Sequence, residues 1–131
     1  MKLENVFSSF WNVCYVIFMS LIVANYWVGF YMGAISPLPL MPGLTYLIAP
    51  ICGALLYLFL KSVRGAFYAT LAMCTLSCII TAVALFMPAL LGIVDMEISF
   101  YISLRIAIQM FIYVFPFAIG GCFVTAYVFP D

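Results

Sequence analysis

Two groups of residues in this chain have the types and spacing to do chemistry. Cys74 and Cys78 stand four residues apart in "LAMCTLSCIITAVA", which puts them on one helix face. Soft thiolates so placed are ligands for copper or zinc. Tyr101, Arg105, Gln109 and Tyr113 recur every four residues in "FYISLRIAIQMFIYVF", and Glu97 extends the line outward. A guanidinium there can hold a phosphate or a carboxylate through a two-pronged hydrogen bond. A polar stripe through apolar surroundings can also line an ion or substrate path. Asn25, in "IVANYWVGF", is the other polar side chain deep in an apolar run.

The thiols lack partners for a metal. The five cysteines (Cys14, Cys52, Cys74, Cys78 and Cys122) include no CxxC and no vicinal pair, and the chain has no histidine. Cys74 and Cys78 therefore read as small packing residues. Without histidine the usual general base, haem ligand and most zinc sites are missing. No acidic residue falls in the middle of an apolar run, which argues against a carboxylate proton relay. The expectation is no enzyme, no catalytic residue, no cofactor and no metal. No motif of a known family stands out.

The elements that carry these residues must lie in lipid. Of 131 residues, 69% are hydrophobic and 6% charged, with four basic and four acidic side chains and zero formal net charge. A soluble domain is about half apolar and about a quarter charged. The charge balance gives no basic surface for nucleic acid. The length accommodates one membrane domain, 1–131, with about four spans of ~20 residues. Runs bounded by Pro, Gly and charge place the spans at 10–33, 44–60, 65–94 and 98–129. The N-terminus reads as the uncleaved start of the first helix, since its apolar stretch is longer than a signal-peptide core. Continuous rather than alternating apolar runs favour an all-α four-helix bundle with short loops over a β-barrel.

Lys61 and Arg64 follow the second span, Lys2 lies on the same side, and Asp95 and Glu97 lie on the other. The excess of basic residues on one side predicts cytoplasmic termini. Trp11 and Trp27 are 16 residues apart, about 24 Å along a helix, and read as two interfacial belts. The uncharged loop "AISPLPLMPG", 34–43, reads as a stiff cap in the headgroup region.

Helices in lipid associate through small residues that admit close backbones. Ala66, Thr70, Cys74, Cys78 and Ala82 recur every four residues, widened by Ala69, Ser77 and Thr81. Gly29 and Gly33 form a GxxxG pair, and Ala49/Gly53 and Gly121/Thr125 are looser small pairs. Pro88 and Pro116 read as helix interruptions. Arg105 reads as an interfacial anchor, paired with Asp95 or Glu97 or with headgroups. The competing reading puts it deeper, against a partner or a wet cavity. Asn25 is expected to hydrogen-bond between helices.

These features point to a small polytopic protein, with the cell (plasma or inner) membrane as its expected site. Its expected role is a non-catalytic accessory or structural subunit of a larger membrane complex. Expected partners are other membrane subunits and lipid, with a homo-oligomer left open. The alternative is a small homo-oligomeric transporter or channel with a polar path along the fourth helix.

Overall fold

The computed structural model describes the backbone of residues 2–32 and 42–130, and the side chains of 8–28 and 47–130. Four helices fill these residues: α1 (Lys2–Met32), α2 (Pro42–Leu60), α3 (Val63–Leu90) and α4 (Met96–Val128). Among the described residues there is no strand. Three helices are long and apolar enough to cross a membrane, α1 through Ser8–Val28 and α3 and α4 along their full lengths. Among the described residues the fourth, α2, offers a shorter apolar stretch, Leu47–Leu60.

The helix ends have local causes. Lys61 leaves α2 with φ 51, in the left-handed region, and donates its N–H to the Tyr57 carbonyl at 2.8 Å. Ser62 then caps α3, its hydroxyl oxygen accepting from the Gly65 N–H at 3.3 Å. At the other end Gly92 takes φ 74. Its N–H reaches the Ala89 carbonyl and the Ile93 N–H reaches that of Pro88, both at 3.1 Å. These two bonds form a Schellman motif, which stops α3 at Leu90 rather than at 94. The first helix also begins earlier than the apolar run, at Lys2 rather than 10.

Pro50, Pro88 and Pro116 do not interrupt their helices; each lies inside one. Pro88 lies in the last turn of α3, and at Pro116 one missing N–H is not enough to end a long apolar helix.

Polarity is arranged inside out. Large apolar side chains such as Phe10, Phe18, Ile79, Ile112 and Phe123 face outward. Ser20, Thr70, Ser77, Thr81, Ser99, Ser103 and Thr125 are buried. The main core joins Met19, Val23 and Trp27 of α1 to Cys52 and Leu56 of α2, Met73 and Cys74 of α3, and Met110, Val114 and Ala118 of α4. A smaller cluster holds Tyr57, Ala66 and Cys122. α4 packs chiefly on α2 and α3, and α1 chiefly on α3. Trp27 departs from its expected belt position. It is 3% exposed in the core, with its ring 6.5 Å from that of Tyr113, while Trp11 is exposed.

Candidate functional site

A helix turns about 100° per residue, so a repeat of four residues drifts about 40° around the axis at each step. That drift decides where both sequence stripes go. On α4, Tyr101 and Arg105 lie on the exposed outer surface. Gln109 is half-buried, and Tyr113 has come round beside Trp27. The buried line of α4 is a different set: Ser99, Ser103, Ala107, Met110, Val114, Ala118, Cys122 and Thr125. Asn25 is exposed on α1, and among the described residues it makes no interhelical hydrogen bond. Nor does Arg105 form an ion pair with Asp95 or Glu97 among the described residues. All three are exposed, and Asp95 starts α4 without a side-chain cap.

On α3 the same drift splits the small-residue stripe. Ala66, Thr70 and Cys74 are buried, whereas Cys78 and Ala82 are half-buried at its edge. Met73, Ser77 and Thr81 take over the buried line. The Ser77 hydroxyl lies 2.8 Å from the Met73 carbonyl and 3.0 Å from the Ser20 carbonyl of α1, sharing one proton between them. Cys78 Sγ donates to the Ala107 carbonyl of α4 at 3.3 Å, and Thr81 Oγ1 to Met110 Sδ at 3.1 Å. This thiol and these two hydroxyls stitch α3 to its neighbours. Among the described residues no group of three His, Cys, Asp or Glu side chains comes together to hold a metal.

α2 and α4 approach each other closely. A Cβ added at Gly53 would overlap the Ala118 carbonyl, and one added at Gly121 would overlap the backbone of Pro50. Gly120, next in the chain, has open space around it. The looser small pairs of the sequence carried this signal, but only the crossing identifies which member is indispensable. Gly29 lies on α1, and Gly33 lies outside the described residues, as does 34–41 of the proline-rich loop.

The contact between Cys78 and Ala107 sets the height of Arg105. Counted along α3 and across that contact, Arg105 stands about 24 Å from the level of Arg64, and α3 runs about 15 Å further. The helix of 28 residues is about 42 Å long. The segment beyond Arg105 ends in exposed Leu90, Leu91, Ile93, Val94, Met96, Ile98 and Phe100, with Asp95 and Glu97 among them. Phe86 and Phe100 meet edge to face there, 6.2 Å apart. Two apolar grooves open outward between α3 and α4 and share Ala82 and Leu104. One, of about 270 Å³, runs toward the tip past Phe86 and Phe100. The other, of about 340 Å³, runs the opposite way past Ile79, Ile108 and Ile112.

Comparison with protein-family models, curated proteins and solved structures gives no match to this chain.

Proposed function

We propose that this chain is a four-span protein of the cell membrane, with both termini on the cytoplasmic side beside Lys61 and Arg64. Its proposed role is a non-catalytic accessory subunit whose α3–α4 tip docks a larger membrane assembly. The observation that carries the reading is the length of α3, 28 residues, ending in an exposed apolar tip, which this reading takes as an overhang. A hydrocarbon core is about 30 Å thick, and α3 would have to tilt about 45° to fit inside it, beyond the ordinary range of ~0–40°.

The overhang belongs at the Asp95 end. Were the tip inside the bilayer, Arg105 would lie about 15 Å deep, exposed to lipid and with no ion pair among the described residues. A bare charge there is unfavourable by at least ~3 kcal/mol. With Arg64 at one surface, Arg105 comes to the opposite one, where its long side chain reaches the headgroups. The tip then stands beyond the hydrocarbon with its leucines and isoleucines uncovered, as an unfilled interface does.

The test is purification in mild detergent, with wild type beside Ile93→Asp. A companion chain of fixed stoichiometry, released by the substitution while the protein stays monodisperse and helical, supports the reading. Purification of wild type alone, with no companion, contradicts it. The transporter reading needs Arg105 to line a path between copies, since it faces away from the core of its own bundle. It requires that Arg105→Leu abolish flux in reconstituted vesicles and leave assembly intact.

A further inference from the structure

We propose that the outer face of α4 from Glu97 to Ile112, with the adjoining α3–α4 groove, binds one phospholipid bearing a primary amine. Its phosphate would lie on Arg105 and Tyr101, its ammonium on Glu97, and one acyl chain in the groove. The groove of about 340 Å³ lies between Cys78, Ile79 and Ala82 of α3 and Leu104, Ile108 and Ile112 of α4. Its α3 wall is recessed because Cys78 and Ala82 are small, so a chain can lie against the helix pair rather than over it. Arg105 stands three residues above Ile108 and seven above Ile112, on the same side of α4.

Side chains on a helix lean toward its N-terminus, which for α4 is toward the tip and the headgroups. Arg105 thus leans toward Tyr101, one turn away, and Glu97 stands one turn beyond that. The span from Arg105 to Glu97 is about 12 Å along the axis. All three side chains are exposed, and Arg105 and Glu97 make no ion pair among the described residues. From the bilayer centre outward the order is therefore apolar groove, cation with a phenol hydroxyl, then anion. A phospholipid with a terminal ammonium presents acyl chain, phosphate and cation in the matching order. A guanidinium can grip the phosphate with two hydrogen bonds, and the carboxylate can accept from the ammonium. An anionic headgroup would satisfy Arg105 but would bring nothing to Glu97.

The experiment is native mass spectrometry of the detergent-solubilised chain after incubation with equal amounts of phosphatidylethanolamine and phosphatidylglycerol. Wild type is expected to retain one phosphatidylethanolamine with about tenfold preference, the size of one charge-assisted contact. Arg105→Gln should lower retention of both lipids about tenfold. Ala82→Phe should close the groove and lower both while helicity persists. Glu97→Gln, an exposed and nearly isosteric change, should abolish the preference without lowering phosphatidylglycerol. It keeps the test readable if Arg105→Gln does not fold. Equal retention of the two lipids by wild type would overturn the proposal. So would an unchanged preference in Glu97→Gln, or displacement of the lipid by inorganic phosphate.

Discussion

Gly121 of α4 lies so close to Pro50 of α2 that a single added methyl group would enter the Pro50 backbone. Its neighbour Gly120 meets nothing. Gly121→Ala should therefore force the two helices apart, at about 1–3 kcal/mol, the usual range for overpacking a close contact. Gly120→Ala should be neutral or slightly stabilising, because alanine is the better helix former. Unfolding of both variants in mixed detergent micelles measures the difference. Equal midpoints would mean that the α2–α4 crossing is not the tight joint described.

The two thiols of α3 should respond unequally. Cys74 is 1% exposed in the core, whereas Cys78 lies at the edge of the α3–α4 groove. Cys74→Leu should cost about 1–3 kcal/mol and disrupt assembly. Cys78→Leu should do so more mildly, since the groove can take part of the added bulk. Alanine should be tolerated at either position. Size-exclusion profiles and thermal midpoints give the ranking. Silent leucine variants together with inactive alanine variants would restore thiol chemistry as the explanation.

Ser77 joins α1 to α3 through the Ser20 carbonyl. Hydrogen bonds between membrane helices average about 0.6 kcal/mol and reach about 1.7. Ser77→Ala should accordingly lower stability by that modest amount, since Ser77 also returns its proton to Met73 within its own helix. Ser77→Val, which fills the same interface with a bulkier group, should lower it more. Equal losses in the two variants would show that the hydroxyl, rather than the fit, governs the contact.

Much of the scaffold was legible in the sequence. Continuous apolar runs broken at Lys61–Arg64 and Asp95–Glu97 locate α3 and α4 to within a few residues at most ends. The misses have two physical sources. One is the four-residue repeat, which looks like a single face on paper but winds around a helix of 3.6 residues per turn. It displaced Cys78 and Ala82 to the edge of the α3 interface and separated Tyr113 from Arg105. The other is context that no local pattern contains. Trp27 is an interfacial residue by type, yet it is covered by the core. Asn25 is a hydrogen-bonding residue by type, yet it faces outward. The length of the tip beyond Arg105 became evident only when the Cys78–Ala107 contact set the relative heights of α3 and α4.

Orientation is tested by cysteine accessibility on a background lacking the native thiols. Asp131→Cys and Lys61→Cys should react with an impermeant maleimide from the cytoplasmic side alone, and Asp95→Cys from the opposite side alone. Reaction of position 131 only from outside would invert the proposed arrangement and move the α3–α4 tip to the other face of the membrane.

The exposed apolar tip at Ile93 is proposed to be covered by another protein. A photo-crosslinking amino acid placed at 93 in native membranes tests it most directly, with the outward-facing position Val13 as the control. The expected result is an adduct with one protein of defined mass at position 93, none at 13, and loss of the adduct when Leu91→Asp is added. Lipid-only adducts at 93, or the same protein adducts at both positions, would contradict it.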